Sequence, residues 1–153
     1  MTDIVDKSTR SRMMAAIQSK NTRPEILLRR ILHRAGFRYR LHQQQLPGTP
    51  DLVLPRYRTV IFVHGCYWHR HPRCRLAYTP KTRPEFWLQK FAGNVARDQR
   101  DTDALLSAGW RVIIVWECGL RVVAKGDKSL DWLFEELRGP LPEVAIRIEW
   151  PVL

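Results

Sequence analysis

Apolar positions along the chain follow two periodicities, and their alternation predicts an α/β sandwich with a mixed sheet flanked by helices. Leu27, Leu28, Ile31, Leu32 and Ala35 recur at helical spacing, with Gly36 as a stop. Phe86, Trp87, Phe91 and Val95 begin a second helix, expected to bend or break across the polar residues 97–103. A short earlier helix fits residues 9–19, and a last one fits 129–137. Residues 37–41 alternate like a half-buried strand, whereas 51–54, 60–63 and 112–116 are continuous apolar runs of the kind buried on both faces. A final strand fits 144–150. Thr-Arg-Pro-Glu occurs at Thr22–Glu25 and again at Thr82–Glu85, each copy just ahead of a helical pattern. Both copies read as capping boxes, the Thr hydroxyl and the Glu carboxylate each taking an orphan first-turn amide.

A length of 153 residues suits one domain, and no long repeat, linker or low-complexity tract divides it. Charge narrows the partner: 26 Lys and Arg against 15 Asp and Glu leave a net +11, and the excess is mostly arginine. Forked guanidinium groups suit phosphate oxygens and base edges, so the expected partner is a polyanion. No apolar run is long enough to cross a bilayer, and the polar first twelve residues lack the apolar core of a secretion signal. The expectation is a cytoplasmic protein without membrane association. Three cysteines, Cys66, Cys74 and Cys118, cannot all pair within one chain, which turns attention to metal ligation.

Asp51 heads an apolar strand directly after Leu-Pro-Gly-Thr-Pro, a stiff turn that delivers its carboxylate to a sheet end. That placement suits a metal ligand, although an aspartate in a turn also serves as a simple cap. The strand at 60–63 runs into His64-Gly-Cys-Tyr-Trp-His-Arg-His-Pro-Arg-Cys74, which holds three of the chain's five histidines. Such density points to metal binding, proton transfer or both. The three thiols and one nearby imidazole would complete a tetrahedral Cys3His zinc site, with His69 and His71 both feasible by spacing. Helix capping alone accounts for Glu25, as it does for its twin Glu85.

The segments Asp6-Lys-Ser-Thr-Arg-Ser11, Leu46-Pro-Gly-Thr-Pro-Asp51, Val60-Ile-Phe-Val-His-Gly-Cys-Tyr-Trp-His69, Thr82-Arg-Pro-Glu-Phe-Trp87, Asn94-Val-Ala-Arg-Asp98 and Gly109-Trp-Arg-Val-Ile-Ile-Val-Trp-Glu-Cys118 closely resemble the very-short-patch mismatch repair endonucleases of bacteria. The resemblance implies a restriction-endonuclease-like core that nicks one DNA strand next to a T·G mismatch left by deamination of 5-methylcytosine. It implies Mg²⁺ held by Asp51 and the main-chain carbonyl of Val63, with Glu25 and His64 as outer residues around the ion. It implies His69 as general base with Asp98 as its carboxylate partner, and a structural Zn²⁺ on Cys66, His71, Cys74 and Cys118. Tyr67, Trp68 and Trp87 would insert into the DNA stack, while an N-terminal element at residues 1–20, including Met14, approaches from the minor groove. Double-stranded DNA with a T·G mismatch and a MutL-type repair protein are the implied partners, and an asymmetric target favours a monomer, nucleoid-associated when acting.

Where restriction-like nucleases often carry carboxylate-x-Lys, this chain reads Phe62-Val-His64, so histidine chemistry must replace the lysine. Two competing expectations are a restriction-like nuclease with other specificity and a zinc-stabilised nucleic-acid-binding module without catalysis. Asp51 with His64 and His69 argues against the module, since a pure binder needs phosphate contacts but no carboxylate paired with a base.

Overall fold

The computed structural model describes residues 20–153. The expected helix at 9–19, Met14 and nearly all of the N-terminal element at 1–20 lie outside the described residues. Helix α1 (Arg23–Arg34) leads into strands β1 (Arg40–Leu41), β2 (Leu52–Leu54) and β3 (Thr59–His64), with a 3-10 turn (Pro55–Tyr57) between the last two. Then follow α2 (Cys66–His69), α3 (Pro84–Ser107), β4 (Arg111–Trp116), α4 (Glu117–Ala124), α5 (Asp131–Arg138) and β5 (Arg147–Trp150).

The five strands lie in sequence order across one sheet. β1, β2 and β3 pair antiparallel, while β3, β4 and β5 pair parallel, which is the expected mixed sheet. β2, β3 and β4 are buried almost throughout, as their unbroken apolar runs require. Alternate residues of the central strands face opposite cores. Ile61, Ile113 and Val115 join Leu28 and Leu32 of α1, Leu120 of α4, and Leu133 and Leu137 of α5, whereas Val60, Phe62, Val112 and Ile114 join Leu105 of α3. Removing one such leucine side chain costs about 2–5 kcal/mol. At the amino end of β4 the buried Arg111 is satisfied by Thr59 Oγ1 at 2.9 Å and by the main-chain and side-chain oxygens of Glu136 at 3.0 and 3.1 Å.

Several local expectations are corrected. α3 runs without a break through residues 97–103, because that polar stretch is an exposed face and Thr102 and Leu105 still turn inward. The strand expected over 37–41 shrinks to Arg40–Leu41, and Phe37 instead enters the core. Cys66–His69, expected in a loop, makes a helical turn. α4 was not anticipated at all. The final helix begins at Asp131 and the final strand at Arg147, each later than expected.

The twin motifs diverge. Thr22 caps α1, its hydroxyl accepting from Glu25 N–H at 3.4 Å, but Glu25 turns its carboxylate to the Asn21 amide rather than completing the reciprocal bond. At the second copy the N-cap of α3 is Arg83, in a left-handed conformation and without a side-chain cap, so Thr82 makes no box. Thr22→Ala is therefore expected to destabilise the protein by about 0.5–1 kcal/mol, and Thr82→Ala to leave stability within about 0.5 kcal/mol. Paired denaturant titrations check this, and equal losses would contradict the assignment of caps.

Candidate active site and metal centre

β3 and β4 run parallel in a register that sets His64 opposite Trp116, so both chains leave the sheet at one edge. Ligand sites in α/β sheets form at the carboxyl ends of such strands. Here the edge opens into a cleft of about 1040 Å³ whose lining includes Asp51, Val63, His64, His69, Asp98, Tyr67, Trp68 and Trp87.

Asp51 reaches the cleft because the β2–β3 ladder ends at Leu52 opposite Ile61, and the next free amide, Val63 N–H, donates to its carboxylate at 2.7 Å. Burial pushes the Asp51 carboxyl up to about 8, opposed by the Val63 amide and reinforced by the neighbouring Glu25. Glu25 is itself 1% exposed and accepts from Arg29 at 2.7 Å, His42 at 2.9 Å and the Asn21 amide at 3.2 Å. Ligand atoms of Glu25, His42 and Asp51 lie within 4.8 Å of one another. A cation fits this group, because it would offset the burial that raises the Asp51 carboxyl and would sit between two close carboxylates.

His69 closes α2, and its Nδ1 lies 2.7 Å from Asp98 Oδ2 on α3. Donation from Nδ1–H to the carboxylate leaves Nε2 as the basic nitrogen. His64 stacks on this ring, centroids 3.9 Å apart and planes within 7°. Burial first, then the charges of His69 and Arg147, holds the His64 imidazole well below its usual range, so it is neutral. Its buried Nδ1 has no hydrogen-bond partner among the described residues. His64, His69 and Asp98 also come within 4.8 Å of one another. Imidazole lone pairs lie in the ring plane, so two rings stacked face to face aim them side by side rather than at one point. The trio suits proton handling better than chelation.

The third cluster answers the spacing question. Cys66, His71, Cys74 and Cys118 place one ligand atom each within 4.8 Å of one another, and His69 is not in this group. His71 Nδ1 lies 3.4 Å from Cys118 Sγ and 3.7 Å from Cys66 Sγ. A tetrahedral zinc with Zn–S near 2.3 Å and Zn–N near 2.0–2.1 Å requires an S···N separation of roughly 3.6 Å. The donor set therefore fits zinc in kind and in span. His71 Nε2–H donates to the Pro151 carbonyl at 2.8 Å, which fixes the ring with Nδ1 toward the thiols. Burial raises the Cys66 and Cys118 thiols, and their crowding with Cys74 adds to this, so a bound cation is what would favour their thiolates.

The aromatic residues gather beside the histidines. Tyr67 packs edge-on against Trp68 at 4.9 Å and Phe91 at 5.1 Å, and Trp87 lies 6.1 Å from Trp68. All three named aromatics are half-buried on a buried Phe91, with the Lys90 ammonium 5.6 Å from the Trp68 ring centroid. Arg70 ties this segment together through the carbonyls of Tyr67, Ala77 and Tyr78 at 2.7–3.1 Å.

Sequence reasoning missed His42, Arg29, Trp116, Glu117 and the Pro151 carbonyl. Glu117 accepts the Cys66 amide at 3.3 Å, and the Trp116 ring stacks on His71 at 4.3 Å. Only Trp116 and Glu117 carried a signal, by standing next to Cys118 in a distinctive run.

The family description "DNA mismatch endonuclease Vsr" matches residues 2–76. The DNA mismatch endonuclease Vsr of Escherichia coli (strain K12) is 50% identical over 137 residues, 89% of this chain and 87% of that protein. The type II nicking enzyme V.XorIIP of Xanthomonas oryzae pv. oryzae is 51% identical over 120 residues, 78% of this chain and 88% of that one. The type II nicking enzyme V.NmeAIP of Neisseria meningitidis serogroup A is 43% identical over 138 residues, 90% and 98% of the two chains. With half of the aligned residues identical over most of both lengths, the chain belongs to the DNA mismatch endonuclease Vsr family.

Proposed function

We propose that this protein nicks one strand of double-stranded DNA beside a T·G mismatch, the product of 5-methylcytosine deamination, within a restriction-endonuclease-like single domain. The observation that carries this reading is the pairing of His69 with Asp98 in the same cleft as the half-buried Asp51. Asp51 and the Val63 carbonyl would hold Mg²⁺, with Glu25 and His64 as outer residues. When bound there, Mg²⁺ supplies stabilisation of negative charge on the phosphate oxygens.

The chain's own groups do the rest. Asp98 fixes the His69 tautomer, and Nε2 takes a proton from the water whose oxygen attacks phosphorus. The bond from phosphorus to the leaving strand oxygen breaks, and that oxygen takes a proton from solvent. Neutral His64, stacked flat on His69, restricts the base to one ring orientation and adds no like charge when His69 becomes protonated. Zn²⁺ on Cys66, His71, Cys74 and Cys118 would rigidify the turn that carries His69. Tyr67, Trp68 and Trp87, with Met14 from the N-terminal element, would enter the stack at the mispair, where unstacking costs least. The net +11 supplies affinity for the backbone. A monomer suits so asymmetric a target, in a cytoplasmic setting at the nucleoid and with a MutL-type protein as partner. Among the described residues no helix is long and apolar enough to cross a membrane.

The direct test compares duplexes that differ only in T·G against C·G, incubated with Mg²⁺. Nicking confined to T·G is expected, and His69→Ala should keep binding while its rate falls by about 10²–10⁴-fold. A defect confined to binding would remove His69 from the role of base. Metal analysis of protein purified without added zinc should find about one zinc per chain. His71→Ala should lose it and His69→Ala retain it; zinc-free, well-folded protein would sink the ligand set.

The Asp51 carboxyl gives a pH prediction. Its folded value, near 8, lies far above the ordinary aspartate value of about 4, so its contribution to stability is present below about 4 and lost as pH rises through about 8. Without added divalent cation, Asp51→Asn should therefore melt higher than the parent at pH 8–9, by roughly 2–4 °C for each kcal/mol relieved. At pH 4 the two should coincide. Mg²⁺ should raise the melting temperature of the parent and not of the variant. Thermal scans at several pH values check the sign, and a variant less stable at pH 8–9 would reverse it.

A further inference from the structure

Among the described residues three donors converge on Glu25, and His42 contacts a second site residue as well. Asn21 N–H occupies Oε1, while Arg29 and His42 share Oε2. A carboxylate offers about four acceptor positions, so these contacts leave roughly one for anything entering from the Asp51 side. His42 also reaches Asp51 itself. The β1–β2 register, Leu41 opposite Leu52, brings His42 opposite Asp51, and the His42 amide donates to the Asp51 carbonyl at 3.2 Å. One residue thus bonds the main chain of half-buried Asp51 and the side chain of buried Glu25.

The backbone of His42 is compatible with both contacts. Its φ of +47° is a left-handed conformation that side-chain-bearing residues rarely adopt, and it ends β1 after two residues. Turning left-handed at this position breaks the strand and directs the imidazole to the first turn of α1. Such a conformation persists where surrounding contacts over-determine it, as the two hydrogen bonds do here.

We propose that His42 is a positioning residue that fixes the Glu25 carboxylate beside Asp51, setting the affinity of the site for a divalent cation. The proposal rests on the reading of Asp51 as a metal ligand. His42 acts through Glu25 and touches no reacting atom. It presents Nε2–H to Glu25, while Arg29 holds the same oxygen from the adjoining helical turn.

The test uses the full chain and Mn²⁺ as probe, with free Mn²⁺ followed by electron paramagnetic resonance. His42→Asn tolerates the left-handed backbone but is too short to reach Glu25, and His42→Gln restores a donor at about the original reach. His42→Asn should weaken Mn²⁺ binding by about 10-fold or more, the usual scale for an outer-layer contact. His42→Gln should recover most of that loss, and adding His42→Asn to Glu25→Gln should cost nothing further. Melting temperatures close to that of the parent exclude unfolding as the cause. Unchanged Mn²⁺ affinity in His42→Asn, a His42→Gln variant as weak as His42→Asn, or an undiminished effect in the Glu25→Gln background would each overturn the proposal. A parent chain that binds no Mn²⁺ overturns it together with the metal reading. If the parent binds Mn²⁺ but does not nick T·G duplex, the proposed activity fails and the result for His42 stands.

Discussion

The parallel pairing of β3 with β4 is the constraint on which the rest depends. Two antiparallel strands would send their chains from opposite edges, but these two release His64-Gly65-Cys66 and Trp116-Glu117-Cys118 side by side. The consequences are immediate: Cys118 N–H lies 3.4 Å from Cys66 Sγ, and Cys66 N–H donates to Glu117. Each strand is buried on both faces, so its position is set by packing from both cores and shifts only at the cost of many contacts. Three groups of polar side chains then gather at one sheet edge, above apolar strands packed from both faces.

Electrostatics at that edge are arranged by burial as much as by charge. Asp51 is pushed to hold a proton and His64 to lose one, the same desolvation acting in opposite directions on an acid and a base. His69 and Asp98, each about 30% exposed, keep access to the cleft. A deeply buried neutral ring thus lies against a partly exposed one that is paired with a carboxylate, so the two histidines sit in different surroundings.

What the sequence made legible was what periodicity or local density encodes. The buried strands were readable because an unbroken apolar run such as 60–63 has few other uses, and the dense histidine and cysteine segment located the site. Continuity of α3 was hidden: its buried residues, Phe91, Thr102 and Leu105, are too few to outline a face in 24 residues. α4, over Glu117–Ala124, contains Gly119, a residue disfavoured inside helices. In the fold its missing side chain is what matters, since a Cβ there would come within 2.5 Å of the Trp150 ring and 2.7 Å of Pro151. The difference between Glu25 and Glu85 was also beyond local reading. Their tetrapeptides are identical, and only long-range pairing brings His42 and Asp51 to the first of them.

Aromatic packing joins the two halves of the site. His69 lies flat on His64, His64 meets the Trp116 ring edge-on at 5.2 Å, and Trp116 lies flat on His71 at 4.3 Å. This column leads from the histidine beside Asp98 to the histidine among the cysteines. Trp116 is anchored at its polar end by donation to Glu149 at 3.3 Å, and His71 by the Pro151 carbonyl. Both anchors come from β5 and the residue after it, so the last strand of the sheet braces the column from its far side. Rings in van der Waals contact cannot slide without losing dispersion energy along their whole faces. The short turn Cys66–His69 is thus restrained at its start by the cysteine cluster and at its end by the stacked rings. A four-residue helix with no side-chain cap could not hold His69 in place by its own hydrogen bonds; its geometry comes from the column and the cluster on either side.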